Sequence, residues 1–99
     1  MDTYIINKGS SKTVYFHVNA DGFVFYKIQN ESGTNKAKFW WVAGPFGSIK
    51  DVGFVKATGK LKIKGTLWGK LRIGHLDSKT IVQIHDQPRV GMNFPEINF

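Results

Sequence analysis

Across residues 56–72 the chain carries six basic side chains, Lys56, Lys60, Lys62, Lys64, Lys70 and Arg72, and no Asp or Glu. The whole sequence has 14 Lys plus Arg against 7 Asp plus Glu, a net charge of +7, so everything outside that stretch contributes 8 minus 7, or +1. Solubility does not require charge so concentrated, whereas attracting something negative does. Within the stretch, cation and aliphatic alternate: Leu61, Ile63, Leu71 and Ile73 share one strand face, and Lys60, Lys62, Lys64, Lys70 and Arg72 share the other. The segments Gly59-Lys60-Leu61-Lys62-Ile63 and Gly69-Lys70-Leu71-Arg72-Ile73 echo each other ten residues apart and read as the two arms of one cationic hairpin.

Single-stranded nucleic acid asks for cations to meet phosphates and for flat rings on which bases stack. If Leu67 continues the inward set, Trp68 faces out with Lys70 and Arg72. Lys38 and Trp40 share one strand face, as do Tyr15 and His17. Only Arg72 and Arg89 are Arg, so bidentate reading of guanine is not the main business. The expectation is a binding module for RNA or single-stranded DNA without strong sequence preference, its site Lys56, Lys60, Lys62, Lys64, Trp68, Lys70, Arg72, Lys38 and Trp40. Two other binding classes fit part of the pattern. Trp40, Trp41, Trp68 and Tyr26 suit sugar rings in a lectin-like carbohydrate site, and the lysine face with the apolar tail suits an acidic protein partner, in the manner of an inhibitor or immunity protein. Lys on a strand edge also serves simply to block edge pairing.

Catalysis finds less support. The seven acids, Asp2, Asp21, Glu31, Asp51, Asp77, Asp86 and Glu96, fall mostly in expected turns or near the termini. No G-x-S-x-G, P-loop or H-E-x-x-H occurs. His75 and His85-Asp86, with Lys62, Lys64 or Arg72, are the nearest thing to the acid–base set of a small metal-independent ribonuclease, yet neighbours on a strand point to opposite faces. With no Cys and three scattered His, neither a disulfide nor a zinc site is expected, and no cofactor is implied. The expectation is no enzyme.

The elements that must position these groups read as strands. Residues 12–18 alternate Val14, Phe16 and Val18 with Thr13, Tyr15 and His17; Asn19-Ala20-Asp21-Gly22 turns; and residues 22–29 return, which reads as a first hairpin. Residues 30–36 form a polar loop, residues 37–43 and 49–56 are strands around a Gly44-Pro45-Phe46-Gly47 turn, and residues 79–86 are a last strand. No window shows helical apolar spacing without a Gly or Pro breaking it. Seven or eight short strands predict a single all-β domain, an antiparallel β-barrel or a two-layer β-sandwich, over residues 1–87. Residues 88–99 keep Val90, Met92, Phe94, Ile97 and Phe99 but lose alternation, which predicts an irregular strap on the same domain or an arm toward a partner. No long apolar run predicts a membrane span, the opening residues lack an export signal, and the expected compartment is the cytoplasm. Exposed sheet edges permit a homodimer.

Overall fold

The computed structural model describes residues 2–44 and 46–99; Pro45 of the expected turn lies outside the described residues. The strands are β1 (Asp2–Ile6), β2 (Lys12–His17), β3 (Phe23–Asn30), β4 (Lys36–Ala43), β5 (Ile49–Lys56), β6 (Thr58–Lys62), β7 (Trp68–Gly74), β8 (Thr80–His85) and the two-residue β9 (Glu96–Ile97). They form a five-stranded sheet in the order β1-β8-β3-β6-β9 and a four-stranded sheet in the order β2-β7-β4-β5. The two sheets pack as layers and neither closes on itself, so the chain is an all-β sandwich. Among the described residues no helix is long and apolar enough to cross a membrane.

Alternation decides what each strand buries. Val14 and Phe16 of β2, Phe39 and Trp41 of β4, and Leu71 and Ile73 of β7 point inward from the four-stranded sheet. Val24, Tyr26, Ile28, Leu61, Val82 and Ile84 meet them from the other. Each large aliphatic so enclosed contributes about 1.5–3 kcal/mol relative to exposure. Tyr26 joins the layers, its ring edge-on to Phe39 with centroids 5.1 Å apart. On β5 the inward Val52 and Val55 are three residues apart, which strict alternation forbids. A bulge absorbs the extra residue: the register shifts between Phe39 and Trp40, and Gly53 takes φ 85°, a conformation costly for any residue with a Cβ.

The topology corrects two expectations. Residues 19–22 do turn, with the Asn19 side chain accepting from the backbone N–H of Asp21 and Phe23. The strands they join do not pair: β2 lies against β7, and β3 lies between β6 and β8. Likewise β6 and β7 are in different sheets, so the echo around Leu61 and Leu71 is not a hairpin. It arises because strands that line one core from two sheets need the same apolar-in, polar-out pattern. Only β4 and β5 are both consecutive in the chain and paired. Nor does Leu67 join the inward set; it is 76% exposed, in the loop before β7.

Two anchors complete the frame. The residues expected as a plain polar loop carry a buried Asn30, whose Nδ2 donates to Thr80 Oγ1 at 2.8 Å and Asp77 Oδ1 at 3.2 Å while its Oδ1 accepts from the Lys36 N–H at 2.9 Å. At the C-terminus Phe94 is buried edge-on against Phe25 at 5.2 Å, the Lys60 N–H donates to the Pro95 carbonyl at 3.0 Å, and β9 runs parallel to β6.

Candidate functional site

The outer face of the four-stranded sheet is where cations and rings meet. Directly paired residues share a face, so the register builds its surface row by row. His17 pairs with Trp68; Tyr15 pairs with Lys70, which pairs with Val42, which pairs with Ile49. Thr13 pairs with Arg72, which pairs with Trp40, which pairs with Asp51; Lys38 pairs with Phe54, and Lys36 with Lys56. The bulge at Gly53 lets both Asp51 and Phe54 reach this surface although they are three residues apart.

Rings and charges interleave at short range. Tyr15, 63% exposed, lies 6.2 Å from Trp68, and the Lys70 ammonium sits 5.8 Å from the Tyr15 centroid. The Arg72 guanidinium and the Lys38 ammonium lie 5.4 and 4.8 Å from the Trp40 centroid, holding the indole between two cations. His75, in the left-handed region at φ 54°, turns its ring to within 5.6 Å of Trp40 and 6.1 Å of Phe54, and Lys36 caps Phe54 at 4.5 Å. Such exposed cation–ring contacts are worth about 0.5–1 kcal/mol each. Asp51 is the acid of this face, and Lys38 pairs with it at 3.4 Å. A concavity of about 250 Å3 opens between Thr13, Trp40, Val42, Ile49, Lys70 and Arg72.

Trp68 is fixed locally. The Thr66 hydroxyl donates to the Trp68 carbonyl at 2.8 Å, and the Gly44 N–H donates to the same carbonyl at 3.0 Å. Gly69 beside it has no room for a Cβ, which would press on the Phe16 ring at 2.8 Å. The backbone at the start of β7 is therefore fixed, and the Trp68 indole stands beside Tyr15, 36% exposed.

Of the nine residues expected to form the site, Lys38, Trp40, Lys56, Trp68, Lys70 and Arg72 converge on this face. Lys60 and Lys62 do not: they stand on the five-stranded sheet, over the ring of Phe23 at 4.3 and 4.7 Å, and Lys64 follows them beyond β6. The dense run of lysine is thus divided between two sheets. Tyr15 and His17 belong to the face, as their shared parity with Thr13 suggests. Phe54, Lys36 and His75 are additions: a bulge precedes Phe54, His75 follows the end of β7, and Lys36, which shares the parity of Lys38 and Trp40, lies in the segment expected as a loop.

The histidines are dispersed. His75 is on this face, while His85 stacks on Phe25 and meets Phe94 on the outside of the other sheet. A small hollow of about 120 Å3 brings His17, His85, Asp2 and Asp86 to its rim, and the His85 Nδ1 is hydrogen bonded to the Gln87 carbonyl. Among the described residues no three His, Asp or Glu side chains, these included, come together closely enough to hold a metal ion. Comparison of the chain with models of protein families, with curated proteins and with solved structures finds no match, so the geometry of this face is what a functional reading has to stand on.

Proposed function

We propose that the outer face of the four-stranded sheet binds single-stranded RNA or DNA with little sequence preference, and that the protein acts by binding rather than by catalysis. One observation carries the reading: Tyr15, Trp68, Trp40 and Phe54 follow one another across β2, β7, β4 and β5, with Lys70, Arg72 and Lys38 among them and Lys36 and Lys56 at the end of the row beside Phe54. Bases stack on any flat ring, so the rings tolerate every sequence, and lysines supply charge without reading base edges. A neutral glycan would use the rings but leave five cations idle.

The test is salt. Five cations less one paired carboxylate leave about four charges to displace counterions, a log–log slope of about −3 and roughly a fiftyfold loss of affinity between about 50 and 200 mM salt. Fluorescence anisotropy with labelled oligothymidylate and oligouridylate should give that slope, with similar affinity for both. Binding that ignores salt, or no binding at low salt, would reject the proposal.

A further inference from the structure

A concavity of about 730 Å3 lies at the margin where β5 of one sheet approaches β6 and β9 of the other. Its walls reunite cations that the fold has separated: Lys50 from β5, Lys62 from β6 and Lys64 just beyond it. Three rings line the same space, Phe23, Trp41 and Phe99. Phe99 is 48% exposed and stands edge-on to Trp41 at 6.0 Å, and the Lys50 ammonium is 5.8 Å from the Trp41 centroid. The Trp41 indole Nε1 is buried with no hydrogen-bond partner among the described residues, an uncompensated donor. Glu96 and Asn98 add an acceptor and an amide at the rim.

We infer that this cleft binds a nucleoside monophosphate, either free or as the phosphorylated end of a strand. The volume suits a ligand of that size. Ammonium groups arriving from two sheets fit a compact dianion better than a single carboxylate, because a terminal phosphate carries close to two charges at neutral pH and three acceptor oxygens. Lys62 lines the cleft while its ammonium donates to the Asp21 carbonyl in the turn before β3, and Lys50 and Lys64 are the exposed cations of the site. The exposed Phe99 ring offers a base a stacking surface, and the Glu96 carboxylate can accept from ribose hydroxyls. Asp51 lines the cleft and also pairs with Trp40 on the proposed strand-binding face, so the two sites adjoin. Only the strand-end form of the inference rests on that earlier reading.

Calorimetric titration of the full chain at low salt with adenosine monophosphate, adenosine and inorganic phosphate tests it. The nucleotide should bind at least about tenfold more tightly than either part alone. Lys50→Gln combined with Lys64→Gln should weaken the nucleotide about tenfold or more without changing the circular dichroism spectrum, since both side chains are exposed. Trp68→Ala with Arg72→Ala should leave nucleotide binding intact while weakening oligothymidylate, which separates failure of one site from failure of the other. A terminal phosphate that tightens oligothymidylate only when Lys50 and Lys64 are present identifies a strand end as the ligand; nucleotide binding with no terminal-phosphate effect identifies the free nucleotide. Nucleotide binding no tighter than phosphate, or unchanged by the double substitution, overturns the inference.

Discussion

At the residue scale, Trp68 and Arg72 separate binding from stability. Each projects from β7 onto a solvated surface, so truncating either leaves the core untouched. Trp68→Ala should weaken oligonucleotide binding by about 1–3 kcal/mol, the usual value of a base stacked on an aromatic ring, while the unfolding midpoint moves by no more than a few degrees. A large loss of stability would show instead that the indole belongs to the core. Tyr26 makes the opposite case. It is buried to 1% exposure, its hydroxyl finds no hydrogen-bond partner among the described residues, and burial pushes its pKa well above the ordinary tyrosine value. Tyr26→Phe removes an unsatisfied polar group and keeps the edge-on contact with Phe39, so thermal unfolding should stay level or rise. A loss above about 1 kcal/mol would reveal a hydrogen bond that the hydroxyl makes in solution. Gly59 is tied to the same ring, because a Cβ there would overlap the Tyr26 side chain; Gly59→Ala should be strongly destabilising.

At the scale of elements, the loop after β3 and the turn before β8 are held by Asp77. Thr34 Oγ1 donates to its Oδ2 at 2.8 Å and Ser32 Oγ to its Oδ1 at 2.9 Å, with Ser78 and Asn30 adding further donors. These hydrogen bonds, Thr34 first, hold the carboxyl below its ordinary value of 3.8. A folded-state value depressed in this way stabilises fully above the ordinary value and is lost as pH falls through the folded one. Asp77→Asn should therefore lower the unfolding midpoint at neutral pH, and the gap from the parent should close below about pH 4. A gap independent of pH would assign the effect to packing. The C-terminal residues form a second anchor. Removing residues 93–99 takes away Phe94, the Pro95 carbonyl that accepts from Lys60, and β9, so the melting temperature should drop. An unchanged melt would mean that these residues serve something other than the fold.

The elements also mark where sequence reasoning stops. Alternation identifies β2, β6 and β7 with their inward residues, and β4 and β8 as strands, because burial on a pleated sheet follows from local spacing. Pairing is different: a strand's partner is chosen by topology, and the near-identical patterns around Leu61 and Leu71 are equally good for neighbours in one sheet and for opposed strands in two. β1 escapes notice because Asp2–Ile6 is an outer strand with little alternation to read; Ile5 is 61% exposed beside Ile81. The same limit applies to the candidate site. Lys38, Trp40, Trp68, Lys70 and Arg72 are legible as outward positions, but only the register of β2, β7, β4 and β5 shows that they are neighbours and that Lys60 and Lys62 are not.

For the whole molecule, dividing the lysine-rich stretch between layers gives two unlike surfaces from one run of sequence. One is an open file of rings and cations on the four-stranded sheet, and the other is a cleft at the sandwich margin where Lys50, Lys62 and Lys64 gather. Net charge of +7 steers any polyanion toward both, but only the open file has the breadth to hold several bases in succession. The most direct measurement is the amide and indole chemical-shift response of isotope-labelled protein titrated with an oligothymidylate of about ten nucleotides, within the usual site size of such folds. The account predicts shifts along β2, β7 and β4, strongest at Tyr15, Trp68, Arg72 and the indole of Trp40, with Ile5, Ile81 and Gln83 of the other sheet still. Shifts centred instead on Phe23, Lys60 and Lys62, or none at low salt, would contradict it.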